Sequence, residues 1–377
     1  MKKKSVVNIL LVLSSLVVSI MVSEVFLQVI KKPKHVYSGW LPRIAASEKN
    51  QLGFRGRKIN YTDDDYVILL LGDSQVQAES CAFDWLPENR LEYHLNSKAG
   101  SMKKVKVFSI GAGGYGQDQQ LQLLQIYYKT YRADMVVLWQ TPENDIWNNV
   151  FPTHWPRNGW PKPTFRLVDG ELYGPSEELL EELWWSKIKL FALANRMFGI
   201  INRDDLWEKY LPQPYKPLKD YEGKICNDWQ ERWDKNLGLM HDENLSTEKS
   251  HLAIHLTPVS QRMRYGLDLT KALLGKIQNL AATHKSLFVT FNTKKTNENS
   301  EDCPGDTLVH LLNGKYFVTS TKQYDDSISF LNENLLSLTI PITMAEWRVG
   351  PENRHLNEHA TDQVMEDLAV RMLPLIK

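Results

Sequence analysis

The chain has 377 residues, enough for one large domain or two small ones with a sizeable core. Lysine plus arginine and aspartate plus glutamate each number 45, a formal net charge of zero, and no basic stripe is interleaved with aromatics, so nucleic acid is excluded as a partner. Cys81, Cys226 and Cys303 lie far apart with no CxxC pair, which argues against a zinc site or a dense disulfide framework and leaves room for at most one disulfide in an exported domain.

In chain order, Lys2, Lys3 and Lys4 precede an apolar stretch from Ser5 to Ile30. At ~1.5 Å per residue it is long enough to cross a hydrocarbon core of ~30 Å. The downstream run VSEVFLQVIKKPK has no A-x-A-like cleavage site and no lipobox cysteine, so an uncleaved single-pass anchor over 5–30 is expected. Lys31, Lys32 and Lys34 put positive charge on the far side too, and charge alone does not orient the span. Residues 31–65 carry Pro, Gly and charge with little periodicity and read as a linker packed on or near the domain that follows.

YVILLL (66–71), VKVFSI (105–110) and DMVVLW (134–139) are short apolar runs without helical period, the pattern of strands buried on both faces. Helical spacing follows the first two, with Leu91 and Leu95 in 87–97 and Leu121, Leu124, Tyr128 and Tyr131 in 117–133. Such alternation predicts βαβ units and a doubly wound parallel sheet. From about 151 to 250 it breaks into Pro- and Trp-rich sequence, read as an insertion, in which FRLVDGELYG (165–174) carries a hairpin signal at its Asp-Gly pair. Trp155 and Trp160, among the seven tryptophans there, are expected to wall the cleft with flat aromatic faces. A helix over 262–284, a strand over 286–292, a fifth strand at LSLTIPI (336–342) and a final helix bearing Val364, Leu368 and Met372 complete the reading, with the loop before that helix delivering His355.

Three loops past predicted strand ends carry chemistry: GDS at 72–74, GGYG at 113–116 and END at 143–145. In an open α/β sheet, ligands bind beyond the carboxyl ends of the strands. Ser74 offers a hydroxyl where a helix begins, Gly114 lets backbone approach a reacting carbonyl, Asn144 offers uncharged N–H donors, and His355 is a base. GDS on its own is as well explained as a helix cap.

Taken together, GDSQ (72–75), IGAGGYG (110–116), PEND (142–145) and ENRHLNEHA (352–360) resemble the four blocks of the SGNH (GDSL-type) hydrolases, over about 66–372. The likeness is strongest to membrane-anchored members tied to bacterial surface polysaccharide. It implies a three-layer, flavodoxin-like α/β fold, with Ser74 as nucleophile, His355 as base, and Ser74, Gly114 and Asn144 as the oxyanion hole. Ser109 and Pro142 depart from the family pattern, as do Glu352 and Asn353, which stand where an Asp usually precedes the histidine. Glu352 is preferred as the third catalytic member because it carries charge, whereas Asn353 orients only.

The expected activity is that of an anchored serine esterase or O-acyltransferase, facing the periplasm or cell exterior, on acylated glycans or small esters, with no cofactor or metal. Polysaccharide-assembly proteins are expected partners. An anchored, non-catalytic glycan-binding or assembly protein is the alternative. GAGGYG also satisfies a dinucleotide fingerprint, but Trp139 and Gln140 occupy the end of the next strand, where an acidic residue is expected. His251 and His255 lack the Glu of a zinc-protease motif and read as a chance surface pair, and His359 reads as a cap or core residue.

Overall fold

The structure, a computed structural model, describes residues 2–29, 44–98, 103–153, 162–176, 188–198, 203–222, 242–295, 307–350 and 353–376. Helix α1 (Lys2–Val29) is exposed over Leu10–Val29 except at Glu24 and Leu27, and that stretch is long and apolar enough to cross a membrane.

The first two βαβ units run β1 (Tyr66–Gly72), α2 (Ser74–Gln77), α3 (Pro87–Lys98), β2 (Val105–Gly111), α4 (Gln117–Tyr127), β3 (Met135–Trp139) and α5 (Pro142–Val150). The insertion holds the hairpin β4 (Thr164–Val168) and β5 (Glu171–Ser176), then α6 (Lys189–Phe198), α7 (Arg203–Glu208) and α8 (Asp242–Ser246). The sequence-predicted hairpin turns at Asp169 and Gly170, both at positive φ, the conformation a two-residue Asp-Gly turn requires. Next come α9 (Gln261–Thr283), β6 (Leu287–Lys295), a second hairpin of β7 (Thr307–Leu312) and β8 (Lys315–Ser320), α10 (Thr321–Asn332), β9 (Ser337–Ile342), the short pair β10 (Arg348–Gly350) and β11 (Asn353–Leu356), and α11 (Glu358–Met372).

Five strands form one parallel sheet in the order β2-β1-β3-β6-β9. Side chains of successive strand residues point to opposite faces, and each face has its own core. Val67, Leu69 and Leu71 pack with Leu124, Ile146 and Leu273 of α4, α5 and α9. Ile68 and Leu70 pack with Leu91, Leu95, Val364 and Leu368 of α3 and α11. Burial on both faces explains why these strands read as unbroken apolar runs.

The chain moves from β1 to β2 on one side, then crosses β1 to place β3 on the other. The switch point of the sheet therefore lies between β1 and β3 at their carboxyl ends, where an open α/β sheet forms its crevice.

Part of the expected linker belongs to this body. Phe54 is fully buried, Asn50 donates to the Ser109 carbonyl at 3.1 Å, and the Arg55 guanidinium donates to the carbonyls of Ala78 and Cys81.

Candidate active site

Ser74 stands two residues past the end of β1 and is the first residue of α2, a single turn capped by Asp73 and closed by Ala78 in the left-handed region. The turn lies hard against the sheet: a Cβ on Gly72 would come within 2.4 Å of the Val76 side chain, so only glycine fits there. Asp73 caps the turn by accepting from Gln75 N at 2.9 Å, so the cap role read from GDS is real, and the same carboxylate has a second task. Its other oxygen accepts from Asn144 Nδ2 at 3.1 Å, which fixes the carboxamide of α5 beside the serine turn. An amide nitrogen carries two protons, so one N–H of Asn144 is held by Asp73 and one is left for a ligand.

The two glutamines of α2 reach out to the other loops. Gln77 Oε1 accepts from Gly113 N at 2.7 Å, tying down the turn in which Gly114 takes a φ of +73°. Gln75 Oε1 accepts from Leu356 N at 3.3 Å, which joins the residue after Ser74 to the residue after His355. The GDSQVQ segment is thus hydrogen-bonded to the glycine loop, the α5 start and the histidine strand at one sheet edge. Sequence reasoning missed Gln75 and Gln77, whose role depends on loops that only the fold makes adjacent.

His355 is half-buried on β11. Its backbone N–H donates to Asn353 Oδ1 at 3.1 Å, and its Nδ1 lies 2.6 Å from the same oxygen. Because the backbone group can only donate, that atom must be the amide oxygen; Nδ1 must then carry its own proton, leaving Nε2 with the lone pair a general base needs. Glu352, the expected third member, lies outside the described residues, and Asn353 is the side chain bonded to the imidazole.

Buried carboxylates lie beneath the serine turn. Burial pushes the carboxyl of Asp73 above the usual range, against the opposing pull of Gln75 N, the Asn144 amide and the nearby His355. Asp145 is pushed up further, first by burial and then by repulsion from Asp73, while Gln117 Nε2 and Thr141 N each donate to it at 2.8 Å. Two neighbouring carboxylates in a dry setting favour sharing one negative charge.

Other expectations fare variously. His359 is neither cap nor core: Asn357 caps α11, accepting from Ala360 N at 2.9 Å, and His359 is exposed with its ring edge-on to Trp85 at 5.5 Å. His251 and His255 are half-buried rather than a surface pair, and His255 stacks on Tyr324 at 4.3 Å, whose hydroxyl donates to Glu143. Trp207 is core, 2% exposed, with its indole N–H donated to the Val150 carbonyl. Trp155, Trp160, Trp184, Trp185, Trp229 and Trp233 lie outside the described residues, as do Cys226 and Cys303.

The sheet order and four loops bonded at one edge decide the architecture. The fold is a three-layer, flavodoxin-like α/β sheet. No family model and no curated protein matches the chain. Among solved structures it is similar to TesA (8% identity, TM-score 0.38, covering 82% of this chain and 99% of that one). It is also similar to the acetyl xylan esterase Est2A from the rumen bacterium Butyrivibrio proteoclasticus (9%, 0.36, covering 84% and 64%) and to a carbohydrate acetylesterase family member from Sinorhizobium meliloti (10%, 0.31, covering 81% and 98%). At such identities and scores these likenesses say nothing of this chain's chemistry.

Proposed function

We propose that this chain is a membrane-anchored serine esterase or O-acyltransferase that acts on O-acetyl or other O-acyl groups of glycans outside the cytoplasm. On this reading residues 5–30 are the anchor and 66–377 the catalytic unit with its insertion at about 151–250. Ser74 Oγ attacks the ester carbonyl carbon while its proton passes to His355 Nε2. The resulting oxyanion accepts from the second Asn144 N–H and from the backbone N–H groups of Ser74 and Gly114. Collapse breaks the bond to the sugar oxygen, which leaves with the proton held by His355. Water or another sugar hydroxyl then attacks the acyl-serine, giving hydrolysis or transfer by the same residues.

The observation that carries this reading is the α2 turn, whose side chains bond all three partner loops. Asn353 fixes the tautomer of His355 without supplying charge, and the Asp73 carboxylate nearby stabilises the imidazolium in its place. The neutral partner of His355 also favours a second reading, an anchored glycan-binding or polysaccharide-assembly protein that has lost turnover. Acetyl release from acetylated glycans and a chromogenic ester, and acetyl transfer between glycans, separate the two. Activity in the wild type that disappears in Ser74→Ala and His355→Ala supports the enzyme. Saturable glycan binding with no turnover in any of the three supports the binding protein.

A further inference from the structure

Helix α6 of the insertion packs on the end of the anchor. Glu24 of α1 accepts from Lys189 N at 2.9 Å with one carboxylate oxygen and from Leu190 N at 2.8 Å with the other, and Lys189 Nζ reaches the Leu27 carbonyl at 3.2 Å. Between Leu10 and Val29 only Glu24 and Leu27 are half-buried; the rest of that stretch is exposed.

Two groups that are costly away from water satisfy each other here. A carboxylate inside an apolar span is expensive unless its oxygens are bonded, and the first N–H groups of a helix have no partner of their own. Glu24 answers both needs at once, and the Lys189 ammonium beside it balances the charge. The depth also fits. Glu24 precedes Val29 by five residues, ~7.5 Å at ~1.5 Å per residue, while a helix lying in a membrane surface buries its apolar face by ~5–10 Å. The sequence of α6, KLFALANRMF, repeats apolar residues at i, i+3, i+4 and i+7 through Leu190, Leu193, Ala194 and Met197; the others are Lys189, Asn195 and Arg196 with the apolar Phe191, Ala192 and Phe198. Leu193 is 44% exposed although it lies in this apolar set.

We infer that α6 is an interfacial helix, docked on the anchor through Glu24 and inserted into the headgroup–acyl boundary of the bilayer. The catalytic unit then has two membrane contacts, one spanning and one lying in the surface, and is held against the lipid face rather than suspended from a single tether. The partner is the lipid bilayer itself.

The test uses the full-length protein in vesicles of phosphatidylethanolamine and phosphatidylglycerol. An environment-sensitive fluorophore is attached through Leu193→Cys or, as a reference within the span, Val25→Cys, with the unsubstituted chain giving the labelling of native cysteines. Lipids bearing a doxyl group quench from within the bilayer, and iodide quenches from water. The inference expects doxyl quenching at 193 of at least about half that at 25, together with protection from iodide. Glu24→Leu, which leaves the span apolar, is expected to lower doxyl quenching at 193 by about twofold or more while leaving 25 unchanged. Quenching at 193 by iodide alone would overturn the inference, and so would shielding from both quenchers, which would mean α6 is covered by protein. A response at 193 indifferent to Glu24→Leu would overturn the docking role of the carboxylate. None of these readouts depends on catalysis.

Discussion

Two regions of the molecule bury charge and treat it in opposite ways. Under the insertion, Asp118 pairs with Lys162 and Asp204 with Lys249, all four side chains almost wholly out of water, with Thr153 bridging Lys249 and Asp204. The first pair fastens the insertion to α4, and the second ties the start, middle and end of the insertion to one another. Burial pushes the Lys249 ammonium down to about 8 and the Lys162 ammonium below its usual range, yet each keeps a carboxylate in contact. At the switch point, Asp73 and Asp145 are met instead by amides and backbone N–H groups, namely Gln75 N, Asn144, Gln117 and Thr141 N. Lysine neutralises a carboxylate and makes a joint; amides and N–H groups satisfy a carboxylate's oxygens without neutralising it.

The sharpest break between the regions is in rate. Ser74→Ala and His355→Ala are expected to lower ester turnover by about 10⁴-fold or more with an unchanged melting temperature, read by steady-state assay and thermal unfolding of the same samples.

The opposite profile is expected under the insertion. Lys249→Met leaves Asp204 buried without its lysine and should cost ~3–5 kcal/mol in urea unfolding, while Asp204→Leu combined with Lys249→Met recovers most of that loss. A single substitution that left stability unchanged would refute the joint.

Asn144→Ala should lower kcat by ~10²–10³-fold with KM little changed, because the lost N–H acts on the oxyanion rather than on the ground state. Asn353→Asp adds charge to an already oriented imidazole and is expected to raise kcat/KM by about tenfold, whereas Asn353→Leu should lower it. Equal rates in Asn353→Asp and Asn353→Leu would mean that this side chain does not position His355.

The joint also carries a pH dependence. Lys249 has a folded-state pKa below its unfolded value, so between about 8 and the unfolded ~10.4 the folded protein binds fewer protons and stability rises with pH. The contribution is therefore complete above the unfolded value and lost as pH falls through about 8. Subtracting the Lys249→Met unfolding curve from that of the wild type across pH 7.5 to about 10.5 should isolate a rise on the order of 2 kcal/mol.

How legible all this was in the sequence depends on where the information lies. YVILLL, VKVFSI and DMVVLW each became a strand of the main sheet because burial on both faces leaves an unbroken apolar run, and the Asp169–Gly170 turn announced its hairpin. The β7–β8 hairpin was overlooked although Asn313–Gly314, both at positive φ, carried the same kind of signal. The expected loop around His355 is instead the strand β11, and strand geometry puts positions two apart on one face, which brings Asn353 to the imidazole. A preference based on charge pointed to Glu352, which lies outside the described residues; among those described, Asn353 is the side chain bonded to the imidazole. Gln75 and Gln77 left no trace in the sequence, since their partners, Leu356 N and Gly113 N, lie far along the chain or on another element.

The central claim is that Ser74 is an activated nucleophile, and a fluorophosphonate probe read by intact mass tests it most directly. The account predicts one adduct on the wild-type chain, mapped to Ser74, no adduct on Ser74→Ala, and labelling slowed by about 10³-fold on His355→Ala. A folded wild-type protein that takes no label, or a Ser74→Ala variant that labels as fast as wild type, would contradict it.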